Sequence, residues 1–379
     1  MRRSFFFCII DSDPSSKGVK SLSTIRDVAE LAGVSISTVS NVINRNGNVA
    51  SKTEARVLDA IKALNYVPDY VQRSSRTYAS KNIGIITENC AIPISARIVQ
   101  GICSCCNEND FIPVLHNLNL NLFAEELQAY RNKLGDFVYE ALVNNEHFLH
   151  RLDTAIQVLR QSNVQGLVYV GDHPRDITPL LSLIPLPYSV VFSYIQEKKT
   201  NSVNNDDQQG ATLAIEHLIA NGHKRIAVIT GPTNSLATHK RLLGYQETLM
   251  KHRINLEPNY IYAGHWSYAD GATGLKHLLQ LPTPPTAVFV MSDLMAVGAL
   301  NAAADMGLHI PDDLSIIGFD DLEFSAYTYP ALSTIHTPFE AMGYAAMQKL
   351  LAQLRDPSSV CSQLLPCELI QRKSVGPIK

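Results

Sequence analysis

Residues 23–44 read STIRDVAELAGVSISTVSNVIN, and the spacing of their apolar side chains decides the organisation of the N-terminal part of the chain. Ile25, Val28, Ala29 and Ala32 recur at helical intervals on one face. Gly33 and Val34 interrupt the period, and a second helix is predicted from Ser35, with Val39, Val42 and Ile43 inward. Thr24 is placed to cap the first helix, and Asp27 lies near its positive end. Ala29 is small enough for the helices to cross closely, and Gly33 supplies the backbone angles of a tight turn. The remaining face of the second helix carries Ser35, Ile36, Ser37, Thr38, Ser40, Asn41 and Asn44. It is short-chained, polar and uncharged, which suits the floor of a DNA major groove. The same pattern also describes an ordinary pair of core helices. A third amphipathic helix, from Thr53 to Leu64, and a basic segment follow it and favour a helix-turn-helix that binds DNA.

At 379 residues the chain suits two or three domains. A hydrophobic content of 46% with 18% charged residues fits globular domains with a large core. No apolar run reaches the roughly 18–20 residues of a membrane span, so no membrane partner is expected. The net charge of −3 hides an asymmetry. Residues 1–81 hold 12 Lys/Arg against 7 Asp/Glu, a net of +5, and residues 82–379 hold 20 against 28, a net of −8. A basic head on an acidic body fits a nucleic-acid reader whose bulk does not adhere to DNA.

Seven cysteines, an odd count, argue against a disulfide framework. Cys103, Cys105 and Cys106 fall at helical spacing with Ile98 and Ile102, which reads as reduced core packing; no metal and no cofactor is expected. Arg2 and Arg3 precede an apolar run, Phe5 to Ile10, that is shorter than a secretory h-region and lacks a cleavage site. Residues 1–22 are therefore expected to be a disordered extension. A true start near Val19 is the alternative.

Four domains are expected: the extension 1–22, the helix-turn-helix domain 23–68, a polar and basic hinge 69–81, and a body 82–379. In the body, apolar strands alternate with helices. The strands are NIGIIT (82–87), FIPVLHN (111–117), VQGLVYVG (164–171), PYSVVFSY (187–194), RIAVITGP (225–232), YIYAGHW (260–266), PTAVFVMSD (285–293), LSIIGFDD (314–321) and a final LLPCELIQR (364–372). Helices are read near 96–109, 210–221, 236–251, 271–281, 294–306 and 339–355. This is an α/β pattern with more strands than one compact sheet usually holds, so two doubly wound parallel lobes are expected. Ligands in such folds bind beyond the carboxyl ends of strands, where Trp266, Ser292, Asp293, Asp320 and Asp321 stand. Residues 123–150 fit poorly and are read as an extra helical insertion. His223 is read as a turn or capping residue.

From Ser23 to Pro377 the chain resembles the lactose/galactose repressor (LacI) family of bacterial transcription regulators. The resemblance is carried in order by TIRDVAELAGVSISTVSNVIN, NYVPD, NGHKRIAVITGP, MSDLMAVGAL and LSIIGFDD. It implies a homodimer whose heads read the half-sites of a pseudo-palindromic double-stranded operator. It also implies a hinge helix that enters the minor groove, and a periplasmic-binding-protein-like body that closes on a small effector. Ile36, Ser37 and Asn41 then occupy the base-choosing positions, with Ser35, Thr38 and Asn44 beside them. Thr24, Arg26, Ser40, Ser51 and Thr53 become phosphate or turn contacts. The family most often has Arg where Asn41 stands; Arg favours guanine and Asn adenine. In the hinge, RSSRT (73–77) replaces the usual RSLRT, so Arg73 is kept while Ser75 stands in place of an intercalating Leu. A weaker operator bend, or a part for Val71, follows.

In the effector cleft the resemblance assigns sugar contacts to Arg241, Trp266 and Asp320. An indole stacks on a sugar face, and Arg and Asp bond hydroxyls. Ser292 stands where Asn or Asp is usual, beside Asp293, and Phe192 or Ser193 replaces a usual Asp. A carbohydrate is the favoured effector, with a nucleoside-like or phosphorylated molecule open. Trp266 as plain core and Arg241 as a partner of a carboxylate between helices are the competing readings. The function expected is a cytoplasmic, nucleoid-associated, ligand-responsive regulator, a repressor before an activator, and not an enzyme. A transporter's solute-binding protein would fit the body alone. No nucleophile elbow, phosphate-binding glycine loop or metal triad supports catalysis.

Overall fold

The computed structural model describes residues 25–43, 49–64, 80–119, 146–172, 176–181, 183–195 and 200–378. They fall into two compact units, one within residues 1–80 and one within 81–379. The expectations for residues 1–22, for most of the hinge and for 123–145 lie outside the described residues, as do Thr24, Asn44, Arg73 and Ser75.

The first unit is three helices: α1 (Ile25–Ala32), α2 (Ile36–Ile43) and α3 (Ser51–Ala63). Its core is Val28, Ala29, Ala32, Val39, Val42, Val57 and Ala60, with Ile25, Val34 and Ile61 packed around it. The apolar period read from the sequence is thus the buried face. Gly33 has φ 63°, the left-handed conformation that the turn between α1 and α2 requires and that favours glycine.

The second unit holds two sheets. Strands β1 (Asn82–Thr87), β2 (Ile112–Asn117), β3 (Leu167–Val170), β4 (Tyr188–Val191) and β5 (Ser202–Asn205) belong to the first lobe. The second lobe has β6 (Ile226–Thr230), β7 (Ile261–Ala263), β8 (Ala287–Val290) and β9 (Ser315–Ile317). Short strands β10 (Thr334–His336), β11 (Ser362–Leu365) and β12 (Glu368–Ile370) follow. The first sheet runs β11-β5-β4-β3-β1-β2 and the second β7-β6-β8-β9, and every pairing within them is parallel. Parallel neighbours need crossover connections, which helices supply. In the described first lobe these are α4 (Pro93–Glu108), α5 (Glu146–Gln161) and a short helical turn at Thr178–Leu181; in the second they are α7 (Leu236–Lys251), α8 (Tyr268–Leu279) and α9 (Asp293–Asp305), while α6 (Asp207–Ala220) leads from β5 to β6 and packs on the second lobe. Helix α10 (Phe339–Arg355) packs back on the first lobe, where Phe339, Met342, Ala346, Met347 and Leu350 join the core of Ile83, Ile85, Ile98 and Ile102.

The expected final strand 364–372 is two strands. Segment β11 extends the first sheet beside β5, whereas β12 pairs antiparallel with β10. Pro366 between them has no N–H to donate, and the chain changes lobe there. No apolar pattern marks β5, whose residues SVNN are buried although three of the four are polar, or the three-residue β10. Cys105 and Cys106 lie in the first-lobe core. Burial pushes their thiols up, to about 11 and about 12, which makes them poor nucleophiles. His223 does more than end a turn. It is buried, with Nδ1 3.1 Å from Thr286 Oγ1 and Nε2 3.0 Å from both Ser315 Oγ and the Gly376 carbonyl, so it ties the C-terminal segment to β9.

Candidate functional site

The head presents one coherent face. Ile36 is 45% exposed although it is apolar, and Ser37, Asn41 and Arg26 are exposed with it. Thr38, Ser40 and Thr53 are half-buried. Ser35 has a local task, because its Oγ accepts from the Thr38 N–H at 3.2 Å and lies 2.7 Å from Ser37 Oγ and 2.8 Å from Thr38 Oγ1. It caps α2, satisfying one of the N–H groups that a helix start leaves free. An exposed isoleucine among short hydroxyl and amide side chains offers apolar contact to a thymine methyl and directional contact to base edges.

In the body, the loops that leave the carboxyl ends of the strands bring both lobes together. Arg97, from α4, donates through Nη1 to the Asp321 carbonyl beyond β9 at 3.2 Å. Tyr194, beyond β4, donates to Asp207 Oδ2 at 3.0 Å at the start of α6. Three sequence-predicted residues meet here. Arg241 on α7 is 3% exposed and Asp320 6%, with Nη2 3.6 Å from the Asp320 carboxylate. The Arg241 guanidinium lies 3.6 Å from the centre of the Phe319 ring and 5.6 Å from that of Trp266, the chain's one tryptophan. Such contacts hold a cation against an aromatic face.

Arg241 is also paired to a carboxylate that sequence reasoning missed. Its Nε donates to Asp207 Oδ1 at 2.8 Å, and Nη1 donates to the Met291 carbonyl. Asp207 is the second of two adjacent aspartates. Asp206 caps α6 by accepting from the Gln209 N–H, which leaves Asp207 to turn inward. That doublet before a helix was the available signal.

The other predicted cleft residues divide. Ser292 caps α9, accepting from the Met295 N–H at 3.3 Å. Asp293 is wholly buried and turned away to the protein: Oδ2 accepts from the Leu322 N–H at 2.8 Å and Ser325 Oγ at 2.6 Å, and Oδ1 from Thr334 Oγ1 at 2.5 Å. Burial raises its carboxyl to about 6 against these bonds. Phe192 is buried edge-on against Phe339 at 5.4 Å. Asp321 accepts from Arg372 at 2.6 Å and pairs with His336 at 2.9 Å; those partners hold its carboxyl below the usual range against the opposing effect of burial.

Four of the eight described non-glycine residues with a positive φ belong to this group. Phe192, Trp266, Asp320 and Asp321 have φ of 56°, 68°, 115° and 55°. Left-handed conformations cost non-glycine residues free energy and concentrate at ligand sites. Buried polar atoms without a protein partner accompany them: Asn89 Nδ2, Ser95 Oγ, Ser193 Oγ, Asn205 Oδ1 and Thr337 Oγ1. Burying such groups unpaired costs roughly 1–3 kcal/mol each.

Residues 24–69 match the bacterial regulatory proteins of the lacI family, and residues 215–375 match a periplasmic binding protein-like domain. The chain is 32% identical over 362 residues to the HTH-type transcriptional repressor PurR of Haemophilus influenzae, covering 94% of this chain and all of that one. The chain belongs to the LacI family. It is also 32% identical over 337 residues to the ribose operon repressor of Haemophilus influenzae, covering 89% and 93% of the two chains. Among solved structures, a lac repressor dimer bound to operator and the anti-inducer ONPF superposes with a TM-score of 0.64 at 29% identity, covering 94% of this chain and all of that one. A complex of the transcriptional regulator CelR with cellobiose gives 0.63 at 26% identity, covering 93% and 99%. LacI-family membership makes the chain a transcriptional regulator, not an enzyme, with the two parallel α/β lobes of its body periplasmic-binding-protein-like.

Proposed function

We propose that the chain is a homodimeric, operator-binding repressor of the bacterial cytoplasm whose two-lobed body senses a small effector, a carbohydrate before other ring compounds. The observation that carries the DNA side is the exposed Ile36 on the otherwise polar outer face of α2. Ile36, Ser37 and Asn41 read bases in this proposal, with Thr38 and Asn44 beside them. Arg26, Ser40, Ser51 and Thr53, with Thr24 and the hinge residues Arg73 and Ser75, position the backbone. The lac repressor solved as a dimer on its operator supports the pairing of heads.

On the effector side, Trp266 offers a stacking face, Asp320 an acceptor, and Ser193, Asn205 and Thr337 their unpartnered polar atoms. Arg241 contributes by holding Asp320 in place. Asp293, Ser292 and Phe192 shape the wall of the cleft rather than bond the effector. Relatives that regulate a ribose operon or bind cellobiose support a carbohydrate.

The deciding experiment is selection of bound DNA from a random duplex pool, followed by gel shift on the recovered site. A pseudo-palindromic site is expected, bound with a steep loss of affinity as salt rises through counterion release and lost on deleting residues 1–81. Recovery of no common sequence would refute the operator reading. A sugar panel and a nucleoside panel, tested for release or tightening of that complex, separate the two effector classes.

A further inference from the structure

The Arg241–Asp207 pair bears on which effectors the cleft can take, and the inference rests on reading that cleft as the effector site. An arginine in a binding cleft is ordinarily the group that grips phosphates and carboxylates, through two parallel N–H donors. Here two of its three nitrogens are already committed, and the third is held by charge. Nε is bonded to Asp207 at 2.8 Å, Nη1 to the Met291 carbonyl, and Nη2 faces Asp320 at 3.6 Å. Asp207 is itself anchored and cannot swing aside without breaking two further bonds. Its Oδ1 accepts from Asn205 Nδ2 at 2.9 Å and its Oδ2 from the Tyr194 hydroxyl at 3.0 Å.

The charge balance points the same way. One guanidinium faces two carboxyl groups, all three nearly excluded from water. Burial, with the neighbouring Asp293 and Asp207 carboxylates, pushes the Asp320 carboxyl up to about 8 in spite of Arg241. A site where burial already keeps a carboxyl group protonated beside a cation also disfavours the desolvation of an incoming anion. The buried Asn205 Oδ1, which lacks a protein partner, adds an acceptor on the side chain that already bonds Asp207.

We propose that Asp207 determines specificity: by taking Nε it blocks the two-nitrogen edge of Arg241, closes the cleft to phosphorylated and carboxylated molecules and reserves it for uncharged or cationic effectors that donate hydrogen bonds.

The test uses the full chain and inorganic phosphate and sulfate at constant ionic strength, with the fluorescence of the single Trp266, 5.6 Å from the guanidinium, as readout. The wild type is expected to show no saturable change. Asp207→Asn, which frees the fork and removes one negative charge, is expected to show a saturable change with phosphate binding roughly tenfold or more tighter than in the wild type. The double variant Asp207→Asn/Arg241→Gln should lose it. A saturable wild-type response that disappears in Arg241→Gln overturns the proposal, and so does a folded Asp207→Asn protein that stays unresponsive. If Asp207→Asn does not fold, the wild-type titration decides alone: flat supports closure, saturable and Arg241-dependent refutes it. These titrations report on the fork itself. Whether the cleft is the effector site is decided separately, by the response of Trp266→Ala in the operator assay.

Discussion

The indole of Trp266 lies where a side chain on Gly231 would stand. A Cβ built on Gly231 would fall 2.0 Å from Cζ2 and 2.3 Å from Cε2 and Cη2 of the ring. Gly231 directly follows β6, and Trp266 holds a left-handed φ of 68° three residues beyond β7, which pairs with β6. The bare backbone of one strand end is the seat for the aromatic ring carried by the next.

Gly231→Ala is therefore expected to displace the ring, at a cost of about 1–3 kcal/mol for overpacking. Because Trp266 is the only tryptophan, its emission should shift to the red and become more accessible to a soluble quencher. An unshifted spectrum in the folded variant would show that the ring does not depend on this seat.

Trp266→Ala leaves the first unit untouched and removes the stacking face beside Arg241. Operator affinity without effector is expected to stay as in the wild type, and the effector response to be lost. A variant that still answers to the wild-type effector at the same concentration would remove Trp266 from the site.

How far the sequence reached is instructive residue by residue. The head was legible because its apolar positions repeat every three to four residues and its turn needs a glycine, both one-dimensional signals. The central strands β1, β3, β4, β6, β8 and β9 were legible because parallel strands buried on both faces are apolar throughout. Strand β5 escaped because Ser202, Asn204 and Asn205 are buried for their hydrogen bonds; Asn204 Nδ2, for one, donates to the Ser193 carbonyl at 2.8 Å. In the cleft, Trp266 and Asp320 were marked by their positions at strand ends, and Arg241 by the family resemblance. Asp207 was marked only as one of a doublet before a helix; 34 residues separate it from Arg241, and nothing in that doublet names the arginine as its partner. Nor could pattern alone separate Asp293, committed to three internal donors, from Asp320, which faces Arg241.

Asp320 gives stability a pH dependence of unusual sign. Its folded carboxyl sits at about 8, raised chiefly by burial, against about 3.9 unfolded. Between those values the folded state holds a proton that the unfolded chain has released. The contribution of Asp320 to stability therefore falls as pH rises from about 4 through about 8. Buried His223, whose pKa burial lowers, works oppositely on the acid side, so the comparison must be between variants. Chemical denaturation between about pH 4 and about pH 8 should show a less negative slope of stability against pH for Asp320→Asn than for the wild type. Parallel curves would mean that Asp320 ionises normally in the folded protein.

Asp293 is expected to matter for folding and not for effector contact. Asp293→Ala strands the Leu322 N–H and the Ser325 and Thr334 hydroxyls, all bonded to it in the buried turn beyond β9. Bonds to a charged group contribute about 1.5–3 kcal/mol each, and leaving partners unsatisfied adds to the loss. A destabilisation of roughly 3 kcal/mol or more is expected in urea unfolding. A drop below about 1 kcal/mol would mean that these donors find other acceptors.

Asn41 tests the DNA face most directly. It is exposed on α2, one turn beyond the exposed Ser37 and on the same side. An amide matches the adenine edge, whereas a guanidinium matches guanine, with about 1–3 kcal/mol of discrimination per well-placed pair. Asn41→Arg should shift the preferred base at one position in each half-site while leaving the fold of the head intact, since the side chain takes no part in the core of Val28, Val39 and Val57. Added positive charge alone would instead tighten binding to every sequence alike and steepen the salt dependence. Selection of binding sites from a random pool separates the outcomes: a changed base in both half-sites places residue 41 at a base edge, and an unchanged site with uniformly stronger binding places it against the phosphates.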